Sequence, residues 1–505
     1  MRDPEGKLKD IYEILKRYFG YESFRGGQEK IVRCLLSGGD ALAVMPTGAG
    51  KSLCFQLPAL AMDGITLVVS PLISLMQDQV RALGQNGIRA AYINSALTPR
   101  QIHLATQNAA QGIYKIIYVA PERLLTDSFL DFAQNADISL LAVDEAHCIS
   151  QWGQDFRPGY LEIGTFISKL KKRPAVAAFT ATATKHVRQD IISKLGLKNP
   201  LELTTGFDRP NLYFEINSVI SRDDFLIRYI REHKDSSGIV YCATRKETDR
   251  VSALLSGRGF SCAAYHAGLS DDQRKQAQED FTFDRVRTIV ATTAFGMGID
   301  KSDVRYVIHY NMPSCMEDYY QQAGRAGRDG AAADCILLYS KSDVGLQRFL
   351  ITRPVENDPL TAQQRQAHLA GAEERLQQMT YYATSKSTCL RRRILNYFGE
   401  SSPAGCDNCS VCIGSYDIRL KTAASAKITD EILLGLLRQY VASAARRNGV
   451  PSYAVASEPT LRELALKQPD TPELLRQIPG FSAEKIRRYG DGIINIIAEY
   501  KNMKQ

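Results

Sequence analysis

The chain has 505 residues, 44% hydrophobic and 23% charged. This is ordinary globular usage, which excludes a wholly disordered, collagenous or coiled-coil protein. At roughly 100–200 residues per domain it predicts three or four domains. Lys plus Arg total 63 against 55 Asp plus Glu, a net charge of +8; that excess permits a polyanionic partner without establishing one. The start, Met1 to Lys7, has no apolar signal-peptide core, and no apolar run reaches the roughly 18–20 residues of a membrane span, so a soluble intracellular protein without a membrane partner is expected.

Residues 1 to about 205 alternate short apolar runs with helical stretches. Asp40–Met45, Ile65–Ser70, Lys115–Val119, Ser139–Val143 and Ala175–Phe179 are too short for helices and suit strands buried on both faces of a parallel sheet. The pattern restarts near residue 236 with strands at Gly238–Tyr241, Cys262–Tyr265, Arg287–Ala291 and Tyr306–His309, and a helix over Lys246–Ser256. Strand–helix alternation predicts two right-handed α/β lobes, joined near 201–214. Residues 341–400 read as polar helices, Lys421–Ala426 as a linker, and 428–505 as a small all-α domain.

Pro46-Thr47-Gly48-Ala49-Gly50-Lys51-Ser52 lies between a strand and a helix. Glycines there let backbone N–H groups close on phosphate oxygens, and the helix N-terminus adds its dipole. Lys51 would hold the β- and γ-phosphates and Ser52 would ligate Mg²⁺. The usual first glycine of this pattern is replaced by Met45. About ninety residues on, Asp144-Glu145-Ala146-His147 ends an apolar strand. Asp144 would hold Mg²⁺ through water, Glu145 would orient or deprotonate the attacking water, and His147 would relay between lobes. Alone, that string is also what solvated strand-end charge looks like; with the glycine loop it points to a nucleoside-triphosphate site.

Gln321-Gln322-Ala323-Gly324-Arg325-Ala326-Gly327-Arg328-Asp329-Gly330 carries two arginines three apart. Arg325 and Arg328 could face a cleft and stabilise charge on a transferred phosphoryl group, or form a basic solvent-facing helix face. Of the 11 cysteines, Cys389, Cys406, Cys409 and Cys412 are grouped. Their spacing suits a closed tetrahedral Zn²⁺; an odd total in a long chain argues against a disulfide framework.

Taken in order, Met45–Ser52, Ser70–Leu75, Ala120–Arg123, Asp144–His147, Phe179–Ala183, Ala291–Lys301 and Gln321–Gly330 resemble the motifs of the RecQ family of superfamily-2 DNA helicases. The resemblance implies two RecA-like parallel-sheet lobes (1–205 and 206–340), a helical zinc-binding subdomain (341–414), a linker (415–427) and a helicase-and-RNase-D C-terminal (HRDC) domain (428–505). It implies an ATP-dependent helicase and translocase with 3′→5′ polarity on single-stranded and forked or partly duplex DNA, acting in repair and recombination, with ATP, Mg²⁺ and Zn²⁺ as cofactors. Such an enzyme would be cytoplasmic, and nucleoid-associated if bacterial; no protein partner is implied.

Phe19–Gln28 resembles the family's adenine-recognition motif, which assigns Tyr21, Arg25 and Gln28 to the base; a Gln amide can pair with adenine N6 and N7. Thr47, Gly48, Ala49 and Gly50 join Lys51 and Ser52 around the phosphates, and Gln321 joins the arginines. Ser150–Pro158 resembles the aromatic-rich loop that couples DNA binding to hydrolysis, which assigns Trp152, Phe156 and Arg157, with Thr292, to DNA. The family loop often has His where this chain has Gln154.

Cys389–Glu400 resembles the family's zinc region, whose arginines either reach DNA phosphates or coat a helix. A typical member then continues with a winged-helix domain, but only about fifteen residues separate Cys412 from the next helix, too few for any domain. Efficient unwinding is therefore less expected than ATP hydrolysis on single strands. A strand-binding or annealing protein and an RNA remodeller are the other readings. In the last domain, Ile478-Pro479-Gly480 would either bring backbone N–H groups to a phosphate or form a packed turn.

Overall fold

Seven parallel strands build the first sheet of the computed structural model: β1 (Ala41–Val44), β2 (Ile65–Val69), β3 (Ala90–Ile93), β4 (Ile116–Val119), β5 (Ile138–Val143), β6 (Ala175–Thr180) and β7 (Leu201–Thr204), in the order β3-β4-β2-β5-β6-β1-β7. The structure describes residues 11–46, 48–71, 73–94, 97–150, 157–218, 221–295, 301–355, 362–385, 387–415 and 431–504. β1, β2 and β4 are buried along their whole length, which is why β1 and β4 read as unbroken apolar runs and β2 is broken only by Thr66. β3 and β7 are edge strands that keep partial exposure. β7 alternates Leu with Glu and Thr and so has no apolar run, while β3 is the short run Ala-Ala-Tyr-Ile; neither is among the strands expected from the sequence.

A second parallel sheet contains β8 (Leu212–Asn217), β9 (Ser237–Tyr241), β10 (Cys262–Tyr265), β11 (Thr288–Ala291), β12 (Val304–His309) and β13 (Ala333–Leu338), ordered β10-β11-β9-β12-β13-β8. The stretch expected to join the lobes thus holds parts of two strands, β7 in one sheet and β8 in the other.

The chain divides into two compact units. One comprises Met1–Gly206 and Thr429–Gln505; the other comprises Phe207–Gly296 and Lys301–Ile428. In the first, the helix Lys51–Ala61 packs on the sheet, with the Phe55 and Phe179 ring centroids 5.4 Å apart. The C-terminal helices Glu431–Asn448, Glu458–Lys467 and Ala483–Lys504 enclose a separate core that includes Leu437, Leu464, Ile478 and Ile493. No helix among the described residues is long and apolar enough to cross a membrane.

In the second unit, the helices Ser342–Val355, Ala362–Thr384 and Leu390–Tyr397 follow the sheet. Arg391 and Arg393, expected either on DNA phosphates or on a helix surface, do neither. Both are buried. Arg391 donates to Asp208 Oδ1 at 2.7 Å and to the Leu212 carbonyl; Arg393 donates to the Tyr382 and Ser385 carbonyls. They staple the helix Leu390–Tyr397 to the start of β8 and to the preceding helix.

Candidate nucleotide site and metal centre

Register places three strand ends side by side: Val44 pairs with Thr180, and Val143 pairs with Ala178. β1 and β5 are therefore two strand spacings apart, about 10 Å. The loop after β1 and Asp144 after β5 both leave the carboxyl edge of the sheet, where parallel α/β folds bind ligands. A phosphate with its cation fits a gap of that width.

The loop is set by glycine geometry. Gly48 and Gly50 have φ of 85° and 80°, a region that favours glycine. Gly50 caps the helix Lys51–Ala61, whose N-terminus turns its unpaired N–H groups towards the loop. A Cβ on Gly50 would lie 2.5 Å from Gln28 Nε2. Gln28, only 3% exposed, donates from that nitrogen to the Ala49 and Gly50 carbonyls at 3.0 and 3.3 Å, and its Oε1 accepts from the Arg25 N–H at 2.9 Å. The Arg25 guanidinium lies over the Tyr21 ring, 5.4 Å from its centroid. The three residues assigned to the base thus form one local cluster against the phosphate loop. Lys51 and Ser52 open the helix, half-buried; Thr47 lies outside the described residues.

Asp144 Oδ1 accepts from the Glu145 N–H at 3.0 Å, and the Tyr160 hydroxyl donates to the Asp144 carbonyl at 2.9 Å. Glu145 itself sits at φ 47°, ψ 45°, a left-handed conformation costing about 1–3 kcal/mol in a non-glycine residue. Strain of that kind is held by its surroundings. Here the buried Tyr160 and the 3₁₀ turn Ala146–Ile149 supply them.

His147, expected to relay between lobes, is tied within the first unit: its Nδ1 lies 2.9 Å from Thr180 Oγ1 and 3.3 Å from Glu145 Oε2. Thr180 in turn donates to the Thr182 carbonyl. Arg157, assigned to DNA, donates to the Pro71 carbonyl at 3.0 Å and so joins its loop to the segment after β2. Trp152, Gln154 and Phe156 lie outside the described residues. Tyr160 is not among the residues the sequence singles out; Thr180 lies in the Phe179–Ala183 motif, which gives it no role of its own.

In the second unit, Gln321 lies in the last turn of the helix Met316–Ala323, and Arg325 follows in a turn, its N–H bonded to the Gln322 carbonyl at 3.1 Å. Arg209 donates to the Ala326 and Gly327 carbonyls, and Asn211 to those of Gly327 and Ala331. These bonds hold the arginine-bearing turn from beneath. Arg325 is 4% exposed, and its Nε–H has no acceptor among the described residues. A buried cationic donor of that kind is suited to an incoming anionic oxygen. Arg328 is half-buried. Thr292 caps a turn after β11, its hydroxyl accepting from the Ala294 N–H at 3.4 Å.

The four grouped cysteines converge. Their Sγ atoms lie within 4.8 Å of one another, with Cys389 and Cys409 buried and 3.9 Å apart. Tetrahedral Zn²⁺ with bonds of about 2.3 Å sets sulfur atoms about 3.8 Å apart, so the donor set fits. Burial pushes the Cys389 thiol up to about 12 when no cation is present; a bound cation is what makes a thiolate there. The site is docked on β8 by a bridge between Cys409 and Phe214 and by Asn408, which donates to the Pro210 carbonyl.

The Ile478-Pro479-Gly480 turn takes the packed alternative. The Gly480 N–H donates to the Gly20 carbonyl at 3.2 Å, and a Cβ on Gly20 would lie 2.9 Å from Phe481 C. Arg488 adds a bond to Gln85 Oε1 at 3.1 Å.

Four family models match this chain. Residues 25–191 match the DEAD/DEAH box helicase model, 221–330 the helicase conserved C-terminal domain, 341–413 the RecQ zinc-binding model and 430–497 the HRDC domain. The chain is 46% identical over 406 residues to the ATP-dependent DNA helicase RecQ of Bacillus subtilis, covering 80% of this chain and 67% of that protein. It is 44% identical over 401 residues to that of Haemophilus influenzae, covering 79% and 63%. Among solved structures it is similar to the Mycobacterium smegmatis helicase Lhr bound to ssDNA and AMP-PNP, with a TM-score of 0.54 and 17% identity over 76% of this chain and 59% of that one; this likeness is one of fold. The chain spans about two thirds of the length of the two RecQ proteins.

Proposed function

The chain belongs to the RecQ family of DNA helicases, and from that premise we propose that it is an ATP-driven DNA helicase and translocase moving 3′→5′ on single strands. The observation that carries this reading is the carboxyl edge of the first sheet, where Gln28 joins the base-recognition segment to the phosphate loop beside Asp144 and Glu145. Lys51 holds the β- and γ-phosphates, and Glu145 orients the attacking water. Ser52 and Asp144 would hold Mg²⁺, which supplies charge neutralisation on the phosphate oxygens. Arg325 and Arg328, with Gln321, stabilise charge that develops on the transferred group.

We assign the chain's labour as first lobe 1–205, second lobe 206–340, zinc-binding subdomain 341–414, linker 415–427 and HRDC domain 428–505. Trp152, Phe156 and Arg157 bind the strand through stacking and charge, and Thr292 contacts it from the second lobe. Zinc on the cysteine cluster is structural, because all four ligand positions are protein thiolates.

One observation favours a weaker unwinder within the same reading: only 18 residues separate Cys412 from the helix that starts at Glu431. The test is strand separation of a forked duplex with a 3′ tail, run beside single-strand translocation and repeated with an RNA tail. The reading expects translocation on DNA with modest unwinding, and Lys51→Ala slowing both by about 100-fold or more. Equal activity of Lys51→Ala, or activity on the RNA tail alone, would overturn it.

A further inference from the structure

Tyr241 ends β9 and is 3% exposed. Nothing in the nucleotide chemistry described above uses it. Its hydroxyl donates to the Phe295 carbonyl at 2.7 Å. Phe295 is the last residue of the turn that Thr292 begins, its N–H bonded to the Thr292 carbonyl. The Phe295 ring is locked between Tyr265 and Phe281, with centroids at 4.7 and 5.8 Å.

The other side of Tyr241 faces the arginine turn. Its ring stacks on His309, with centroids 5.5 Å apart and planes at 23°. Burial pushes His309 down to about 3, so it is neutral, and its Nε2 lies 3.0 Å from Gln322 Oε1. The Gln322 carbonyl accepts the Arg325 N–H. Burial also raises the Tyr241 phenol, while the charges of Arg325 and Arg328, and a hydrogen bond with Arg325, pull it back. A phenol has one proton to give and lone pairs to accept with. The proton goes to Phe295, and the path from the ring to Arg325 runs through the stacked His309 and through Gln322, whose carbonyl holds the Arg325 N–H.

We propose that Tyr241 is a positioning residue for phosphoryl transfer, tying the Thr292–Phe295 turn to the Gln322–Arg325 turn so that the strand-contacting segment and the arginine shift as one piece. The inference rests on the roles given above to Thr292 and Arg325. Tyr241 touches neither nucleotide nor DNA; it sets where Arg325 stands when DNA is engaged.

The test is a double-mutant cycle on the full-length zinc-loaded protein with Tyr241→Phe, Arg325→Ala and the pair, reading single-strand-stimulated ATPase kcat, KM for ATP, Kd for single-stranded DNA and the thermal midpoint. Tyr241→Phe keeps the ring and its stacking and deletes only the hydroxyl. It should lower stimulated kcat about tenfold, the scale of one lost polar bond, with KM and DNA Kd within twofold. Added to Arg325→Ala it should cost nothing further, because contacting residues are non-additive. A purely structural loss would multiply with the Arg325→Ala effect and would lower the melting midpoint in step, and either result overturns the proposal. Full kcat in Tyr241→Phe beside an impaired Arg325→Ala overturns this inference alone. Full kcat in Arg325→Ala overturns the role given to the arginine, and this inference with it.

Discussion

Gln28 Nε2 donates to the Ala49 carbonyl at 3.0 Å, while its Oε1 holds the Arg25 N–H at 2.9 Å. One side-chain amide thus joins the segment that would read the base to the loop that would hold the phosphates. Gln28→Ala removes the side-chain donor to the half-buried Ala49 carbonyl and leaves that of Gly50 with the Leu53 N–H, a loss of about 1–3 kcal/mol in loop order. KM for ATP should rise about tenfold and discrimination against GTP should fall, measured by steady-state hydrolysis of the two nucleotides. Unchanged KM and unchanged base preference would separate Gln28 from nucleotide recognition.

Asp40, immediately before β1, is buried and accepts from Arg173 Nη1 at 3.0 Å, from the Val176 N–H at 2.9 Å and from the Lys198 N–H at 2.7 Å. Burial alone would raise its carboxyl; Arg173 and the two backbone donors outweigh that and hold it below the ordinary carboxylate value. A depressed carboxylate contributes its full stability above its unfolded pKa of about 3.9 and loses it as pH falls through the folded value. First-unit stability from this group should be constant from pH 7 to about 5 and decline below about 4. Asp40→Asn should cost about 3 kcal/mol at pH 7 and remove that share of the acid decline, read by denaturant unfolding at several pH values. An unchanged acid limb would assign the decline to other carboxylates.

The cysteine cluster should bind one zinc per chain, and Cys409→Ser should reduce the bound zinc and the thermal midpoint together, since Cys409 both faces the other thiols and bridges to Phe214 in β8. Metal content by elemental analysis beside thermal melting checks this. A zinc-free variant with the parent midpoint would contradict a structural role.

Much of this architecture was legible because fully buried strands announce themselves. β1 and β4 are apolar throughout and β2 is broken only by Thr66; the phosphate loop follows directly from β1, and Asp144-Glu145 from β5, polar only at Ser139. β7, reading Leu-Glu-Leu-Thr with its polar residues exposed, has no such signature. What side chains do across long sequence separations was equally hidden. Nothing near Arg391 reveals that it binds Asp208, nor does anything near Tyr241 reveal the Phe295 carbonyl. Composition shows that Arg391 is cationic; only tertiary packing shows that its charge is used inside.

The contact between Gly20 and Gly480 predicts a local effect that can be read one amide at a time. Gly20 has φ 73° and no room for a Cβ against Phe481 and Ser482. Gly20→Ala should cost about 1–2 kcal/mol from the left-handed backbone alone and should also part the two segments. Hydrogen exchange at the Gly480 amide, slow while it is bonded to the Gly20 carbonyl, should then quicken about tenfold or more. Equal protection in the variant would mean that this N–H is held by another acceptor.

The central claim is that hydrolysis at the first sheet's edge is coupled to a nucleic-acid strand. Its most direct test is steady-state ATP hydrolysis by the intact chain with and without single-stranded DNA, with Lys51→Ala as the blank. The account predicts stimulation of about tenfold or more in the wild type and none in Lys51→Ala. A wild-type rate that is the same with and without DNA would contradict it.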